Sequence, residues 1–256
     1  MTERDRNSLS TDTLPTREAA AIELLSQVCR ELDSIVFATS LGAEDMVLTE
    51  IIRRERLPIR IFTLDTGRLP AETLELIEVV ERHYGTRIER YAPHPDAIAD
   101  YVSRYGLDGF YDSVPARQAC CRVRKLEPLK RALAGQSAWV TGLRAEQSVT
   151  RAELPAREWD AANGLEKINP LADWSEHDVW AFIRHHRVPY NPLHDQGYPS
   201  IGCAPCTRAI TVGEDVRAGR WWWENPETKE CGLHRREFAP RQPSAHPATE
   251  RDRSAA

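Results

Sequence analysis

Four of the six cysteines stand in two pairs whose spacing suits metal chemistry. Cys120 and Cys121 are adjacent, and Cys203 and Cys206 form a Cys-x-x-Cys motif that can wrap around a metal ion or an iron–sulfur cluster. Because consecutive side chains normally point apart, an adjacent pair reaches two corners of a four-iron cluster more readily than one zinc ion. The spacing favours a cluster on all four thiolates. A zinc ion, thioredoxin-like redox cysteines and two buried thiols beside an unrelated pair remain as alternatives.

A short basic stretch follows the adjacent cysteines. Lys125 lies four residues after Cys121, which makes the two side chains neighbours on one face of a helix. A cation there would offset the negative charge of a cluster and could hold a substrate anion. Arg122 and Arg124 either share this role or face solvent. Isolated arginines elsewhere could complete an anion pocket, because guanidinium groups suit phosphate and sulfate oxygens; these are Arg144, Arg151, Arg217 and Arg220.

A fifth cysteine, near the C-terminus, has the setting of a nucleophile. Cys231 is followed by Gly232 and His234, so the thiol has room and a cationic or hydrogen-bonding neighbour. The alternative is an ordinary tail cysteine. Three consecutive tryptophans at 221–223 are too apolar to remain in water, so we expect this segment to pack onto the protein. The sixth cysteine, Cys29, lies in an amphipathic segment and is assigned to the core.

Two loops have the composition of a nucleotide-binding site. Residues 40–45 follow an apolar strand candidate and open a helix, where small side chains let backbone N–H groups approach an anion. The next strand candidate ends in an acid, which is placed to bind a ribose hydroxyl. Each loop alone also fits a plain turn or a helix cap, but two matched strand ends favour a nucleotide site. The candidate binding residues are Ser40, Gly42, Glu44, Asp45, Asp65, Thr66 and Gly67.

These residues need a scaffold that brings distant loops to one edge. Short apolar runs predict strands at 34–39, 59–64, 87–91 and 138–141, and a weaker one at 166–169. Helical periodicity predicts helices at 17–32, 43–54, 71–84, 96–105, 121–133 and 175–186. This alternation predicts an α/β fold with a doubly wound, mostly parallel sheet, in which ligands bind at the carboxyl ends of strands.

Composition divides the chain into four regions. Residues 1–14 and 239–256 are polar or rich in Pro, Ala and charge, which predicts a disordered N-terminus and a disordered tail. Residues 15–186 carry the strand–helix alternation and are interpreted as the nucleotide-binding domain. Residues 187–238 are rich in Pro, Gly, Cys and Trp and are interpreted as a C-terminal region that carries cluster ligands and the nucleophile over the sheet.

Composition and charge also exclude several function classes. The 256 residues are 41% hydrophobic and 29% charged, which is ordinary for a globular protein. A net charge of −5 argues against a general nucleic-acid binder. No apolar run approaches the ~20 residues of a membrane helix, and the polar first residues lack the apolar region of a secretory signal. We expect a cytoplasmic protein without nucleic-acid or membrane partners; a homo-oligomer is left open.

Four motifs in combination resemble a known family. They are the Cys pair with Lys125, Ile-Gly-Cys-Ala-Pro-Cys-Thr-Arg at 201–208, Arg-Trp-Trp-Trp-Glu at 220–224 and Lys-Glu-Cys-Gly-Leu-His at 229–234. Together they are similar to the assimilatory adenylylsulfate (APS) reductases of the iron–sulfur kind, in the APS/PAPS reductase family, over roughly residues 34–238. The loop at 40–45 departs from the SGGxDS form of ATP pyrophosphatases, which argues against ATP hydrolysis.

The resemblance implies a fold, a cofactor and a reaction. The fold would be adenine nucleotide α-hydrolase-like, of the PP-loop type, with one [4Fe–4S] cluster per chain on Cys120, Cys121, Cys203 and Cys206. Cys231 would attack the sulfur of adenylylsulfate, release AMP and become an S-sulfocysteine, and thioredoxin or glutaredoxin would then release sulfite. The residues expected to face the phosphosulfate are Lys125, Arg151, Arg217, Arg220 and His234.

Three rival functions remain beside this one. A reductase of the 3′-phosphorylated substrate, PAPS, is the rival within the family, and its members usually lack the four cysteines. A non-catalytic iron–sulfur or zinc redox sensor leaves Cys231 and the strand-end loop unexplained. A tRNA-thiolating relative is disfavoured by the acidic net charge of −5 and by the missing SGGxDS motif.

Overall fold

The structure is a computed structural model that describes residues 14–147 and 154–225. Six strands form one sheet in the order β3-β2-β1-β4-β6-β5. All neighbouring strands pair in parallel except β5, which runs antiparallel to β6. The strands are β1 (Ile35–Ala38), β2 (Arg60–Leu64), β3 (Glu89–Tyr91), β4 (Ala138–Val140), β5 (Arg157–Asp160) and β6 (Leu165–Ile168). The predicted mostly parallel α/β sheet is confirmed.

Seven α-helices of seven or more residues connect and cover these strands within the described residues. They are α1 (Leu14–Glu31), α2 (Ala43–Arg54), α3 (Ala71–Tyr84), α4 (Pro95–Tyr105), α5 (Val114–Cys121), α6 (Glu127–Leu133) and α7 (Glu176–His186). Short 3-10 turns occur at Gly109–Tyr111, Ala145–Gln147, Pro192–Gln196 and Ala204–Cys206. Ser175 starts α7 with a capping box to Asp178, as the sequence predicts. Among the described helices, none is long and apolar enough to cross a membrane.

Both faces of the sheet are covered, because neighbouring residues along a strand point to opposite sides. On β1, Ile35 and Phe37 pack into a large core with α1, α2, α3 and α7, whereas Val36 faces a smaller core. That smaller core includes Trp139 of β4 and Leu129 of α6. β1 and β4, at the centre of the sheet, are therefore apolar at every position, and only their carboxyl ends are available for polar side chains.

The helix that carries the adjacent cysteines begins earlier than the sequence predicts. The prediction placed it at 121–133, but α5 starts at Val114, with Ser113 as its N-cap. It then passes through a π-helical turn at Arg122–Leu126 and continues as α6. Pro128, in the first turn of α6, has no N–H to donate, so the helical hydrogen-bond register is relaxed at this point. The π turn immediately follows the Cys pair.

The far edge of the sheet also differs from the sequence prediction. The weak fifth strand is β6, and β5 precedes it as an antiparallel edge strand that the prediction missed. β5 contains Arg157, Glu158 and Asp160, so its charged composition conceals its extended conformation. Beyond α7, the segment 187–225 lies against the loops at the carboxyl edge: the N–H of Ala204 donates to the carbonyl of Arg68 at 2.8 Å.

Candidate active site

A cavity of about 290 Å³ lies at the carboxyl edge of the sheet. β1 has β2 on one side and β4 on the other, so the connections leave this point in opposite directions and open a crevice. The cavity is lined by side chains from the strand ends, from α2, from the π turn and from the segment 187–225. Its predicted residues are Ser40, Gly42, Glu44, Asp45, Thr66, Lys125, Arg144, Cys203, Arg217 and Arg220.

The loop after β1 is organised by Asp45. Ser40 donates to the carboxylate twice, through its backbone N–H and its hydroxyl, both at 2.6 Å from Oδ2. Gly142, after β4, approaches so closely that any side chain there would collide with this carboxylate. Burial raises the pKa of Asp45 to about 6, against the opposing hydrogen bonds from Ser40. Asp45 therefore ties the ends of β1 and β4 together at the N-terminus of α2.

Glu44 and Arg144 were both predicted to bind substrate, and the structure pairs them with each other. Their side chains form an ion pair at 2.8 Å on the wall of the cavity. Arg144 also forms an ion pair with Glu146, again at 2.8 Å. Its guanidinium charge is therefore already met by two carboxylates, and the pair joins the loop after β4 to the start of α2.

The loop after β2 reaches the cysteines. Asp65 accepts a hydrogen bond from the N–H of Gly67 at 3.0 Å, which closes a local turn. Among the described lining residues Thr66 is present, whereas Asp65 and Gly67 are not. Thr66 lies 3.3 Å from Cys203 through Oγ1, and its carbonyl accepts from Arg124 at 2.6 Å. The strand end is therefore shared between the cavity and the cysteine site, and its role as a ribose site stays a prediction.

The four predicted ligand cysteines are brought together from two distant parts of the chain. Cys121, Cys203 and Cys206 are buried in one cluster, and Cys120 packs against it. All four are free thiols, so no disulfide competes for them. Burial raises the pKa of Cys120, and it raises that of Cys206 to about 12. Among the described residues, no three His, Cys, Asp or Glu side chains converge closely enough for a single metal ion.

Cations surround these thiols on several sides. A small second cavity is lined by all four cysteines together with Arg68, Arg117, Arg124 and Lys125. Lys125, in the π turn, lies close enough for its charge to oppose the rise in pKa that burial causes at Cys120 and Cys206, and it also lines the larger cavity. A polynuclear, negatively charged group fits this donor set better than one ion, because the thiols enclose a space and the charges around it are positive.

The two predicted C-terminal arginines also face the larger cavity. Arg217 and Arg220 both line it. Gly202 leaves the space in which the Arg220 guanidinium lies, since a Cβ there would be 2.5 Å from its Cζ. The guanidinium also stacks on Trp221, 4.8 Å from the ring centroid. With Lys125 they give one wall of the cavity a positive charge that suits a phosphosulfate.

Three predicted site residues, Arg151, Cys231 and His234, lie outside the described residues. The sequence prediction did not include Arg117 and His194, and it left Arg124 between a role beside the cysteines and a solvent-facing position. Arg117 and Arg124 are buried, although the residues around them give no local signal of burial. His194 lines the cavity and packs edge-on against Trp180; burial lowers its pKa, which favours the neutral form of the ring. Only long-range contacts identify these three side chains.

Comparison with known proteins decides the family. Residues 34–209 match the model described as the phosphoadenosine phosphosulfate reductase domain. The chain is 97% identical to a protein of Allochromatium vinosum named adenosine 5′-phosphosulfate reductase, over 100% of both chains. A protein of the same name from Burkholderia cepacia is 57% identical over 89% of this chain and 93% of its own. The chain belongs to the adenosine 5′-phosphosulfate reductases of this family.

The family membership confirms the resemblance drawn from the motifs. A solved phosphoadenylyl-sulfate (PAPS) reductase from Candida auris gives a TM-score of 0.64 at 26% identity, covering 75% of this chain and 90% of that one. The predicted α/β fold of the PP-loop type is therefore also confirmed. The residues that line the cavity at the switch point of the sheet lie within the matched range, apart from Val216, Arg217, Arg220 and Trp221.

Proposed function

We propose that this chain reduces adenylylsulfate to sulfite and AMP, in sulfate assimilation. The observation that carries the proposal is the cavity itself, which joins a nucleotide-binding strand edge to a wall with Lys125, Arg217 and Arg220. An adenylate fits the strand ends, and the sulfate group would lie at the cationic wall beside Cys203. The names of the relatives, which specify adenosine 5′-phosphosulfate, agree with this substrate.

The chemistry begins with a thiolate at Cys231. Its sulfur attacks the sulfate sulfur, the S–O bond to the nucleotide breaks, and AMP leaves with the bonding electrons. The cationic wall stabilises the negative charge that develops on the leaving phosphate. Cys231 is left as an S-sulfocysteine. His234 and Arg151 are proposed to complete the phosphosulfate site.

A dithiol protein completes the reaction. One of its thiolates attacks Cys231 Sγ and expels sulfite, and its second thiol resolves the mixed disulfide. The partner is oxidised to a disulfide, which supplies the two electrons that reduce the sulfate group. Thioredoxin or glutaredoxin fits this requirement. The reducing cytoplasm would keep such a partner active, and that location stays a prediction.

A [4Fe–4S] cluster is proposed on the four cysteines. Two facts support it: four free thiols enclose one small cavity, and Arg68, Arg117, Arg124 and Lys125 surround them. When bound, the cluster would supply a fixed negative charge beside the substrate site, and the electrons for the reaction would come from the dithiol partner. Lys125 borders both cavities, so it would lie between the thiolates and the bound sulfate group. Its proposed role is to stabilise the leaving AMP.

Mass spectrometry of Cys231 tests the mechanism. Protein given adenylylsulfate without reductant should gain one sulfonate on the peptide that contains Cys231, and reduced thioredoxin should remove it and release sulfite. Cys231→Ser should keep its iron and bind AMP but turn over nothing. Cys29→Ser is the matched control and should behave as the wild type. An adduct on another cysteine, or AMP release without an adduct, contradicts the proposal.

The choice of nucleotide has its own test. The Candida auris structure belongs to an enzyme named for the 3′-phosphorylated substrate, so PAPS reduction is the second candidate. We expect kcat/KM to be far higher with adenylylsulfate than with PAPS. Equal values for the two substrates would contradict the proposed specificity and leave the covalent mechanism intact.

A further inference from the structure

A buried ion pair joins α5, the helix that carries Cys120 and Cys121, to Glu224, near the end of the described part of the chain. Arg117 of α5 donates to both carboxylate oxygens of Glu224, at 2.8 and 2.9 Å. The side chains are only 1% and 4% exposed. A two-point contact of this kind fixes orientation as well as distance. Glu224 is therefore held in one place relative to the helix that carries Cys120 and Cys121.

The same arginine also fixes a tryptophan that separates the two cavities. Trp221 is buried and borders both the substrate cavity and the cysteine cavity. The guanidinium of Arg117 lies 4.7 Å from its ring centroid, and that of Arg220 lies 4.8 Å from it. Trp221 adopts a φ of +42°, which a bulky side chain adopts only when its surroundings enforce it. Arg117, Trp221 and Arg220 form a stack that ends at the cationic wall.

Chain length limits how far the nucleophile can lie from this pair. Cys231 lies seven positions after Glu224 in the sequence. An extended chain of that length spans at most about 25 Å. Holding Glu224 in place therefore limits the distance between Cys231 and the Arg117–Glu224 pair to that length.

Stability alone does not account for such a pair. A buried ion pair contributes little or nothing more than well-packed apolar side chains of similar volume, because both charges lose their hydration. What the pair does supply is a defined direction for the chain that leaves Glu224 and a defined plane for the Trp221 ring. Both are geometric requirements of a covalent reaction, where small displacements of the reacting atoms are costly.

We propose that Arg117 is a positioning residue for the reaction at Cys231, acting through Glu224 and Trp221. It holds Glu224, seven positions before Cys231, and aligns Arg220, and it does not touch the substrate. This inference rests on Cys231 being the nucleophile.

The test compares two substitutions with a matched control. Arg117→Lys keeps the charge but loses the two-point contact and the flat stack, and Glu224→Gln keeps the volume but loses the charge. Arg208→Lys is the control, since Arg208 makes another ion pair, with Glu214 at 2.7 Å, on a more exposed part of the same segment. Three quantities are measured: iron content, the dissociation constant for AMP, and the single-turnover rate of sulfonate transfer to Cys231.

If Arg117 is a positioning residue, the transfer rate should fall while the iron content and the affinity for AMP stay nearly the same. Arg117→Lys and Glu224→Gln should keep their iron and bind AMP within about threefold of the wild type. Sulfonate transfer to Cys231 should slow about 100-fold, the cost of a small misplacement of reacting atoms. Arg208→Lys should match the wild type in all three.

Two results overturn the inference. One is a transfer rate within about threefold of the wild type in the iron-loaded variants. The other is a loss of AMP binding in parallel with the rate, which is what general disruption of the site would give. If Arg117→Lys does not retain iron, the rate of sulfonate transfer in Glu224→Gln decides the test. A wild-type protein that forms no adduct on Cys231 would instead contradict the proposed function.

Discussion

The substitution Gly202→Ala should move the Arg220 side chain while leaving the stability of the fold nearly unchanged. Gly202 does not have a positive φ, so its backbone can accept alanine. The added Cβ would lie 2.5 Å from Cζ of Arg220 and 2.8 Å from Nη1, which is inside van der Waals contact. Only the end of a flexible side chain stands in the way, so the guanidinium moves and the backbone stays.

The expected cost of this substitution is in activity. Alanine lowers the conformational entropy of the unfolded chain, which offsets part of the destabilisation caused by the new close contact. The free energy of unfolding should therefore change by less than about 1 kcal/mol. A displaced guanidinium removes one preorganised donor from the phosphate of the leaving AMP, which costs about 3 kcal/mol, or roughly 10²–10³ in kcat/KM. Steady-state kinetics and urea unfolding on the same iron-loaded protein measure the two effects.

Gly213→Ala is the matched control because alanine there would strain the backbone but would not displace any side chain. Gly213 has a φ of +96° and nothing within 4 Å of an added Cβ. It should lose about 1–3 kcal/mol of stability through backbone strain and keep its kcat/KM. If Gly202→Ala retains wild-type kcat/KM, then the placement of Arg220 against residue 202 does not contribute to the reaction and the reasoning fails.

Three further predictions concern the cysteines, the cationic wall and the loop after β1. Cys203→Ser should lose iron and visible absorbance whereas Cys29→Ser should not, and equal iron in both would exclude Cys203 as a ligand. Lys125→Ala should lower kcat by about 10²–10³, the range for one electrostatic stabiliser, and an unchanged kcat would remove Lys125 from the mechanism. Burial raises the pKa of Asp45 to about 6 from 3.8, so the folded chain binds more protons than the unfolded chain between about pH 4 and 6. Wild-type stability should therefore fall by up to roughly 3 kcal/mol as pH rises through that window, while Asp45→Asn lacks this loss. Urea unfolding at several pH values measures it, and parallel stability curves for the two proteins would refute it.

Local patterns in the sequence were sufficient to predict the scaffold and the main reactive groups. The central strands are apolar at successive positions because both of their faces are buried, and that signal is visible in the residues themselves. The two cysteine pairs and the basic residues beside Lys125 were recognised by residue type and spacing. The strand ends then predict where ligands bind, since parallel strands present their carboxyl ends at one edge.

The three-dimensional arrangement around the cysteines could be learned only from the tertiary structure. The sequence predicts a plain helix at 121–133, whereas the structure has a π turn after the Cys pair that places Lys125 between the two cavities. The sequence alone would also allow Arg124 to face solvent. In the structure it is buried and donates to the carbonyl of Thr66, because the loop after β2 passes beside it. These outcomes depend on which loops meet, and no local pattern records that.

The sequence by itself determined the chemistry that this protein carries, and the tertiary structure decided which groups act together. Residue type fixes what a thiol or a guanidinium can do, and the periodicity of apolar residues fixes the sheet that carries them. The pairing of Arg117 with Glu224 joins residues 107 positions apart. Such contacts form when the chain buries its apolar surface, because two charges leave water only if each finds a partner in the folded state.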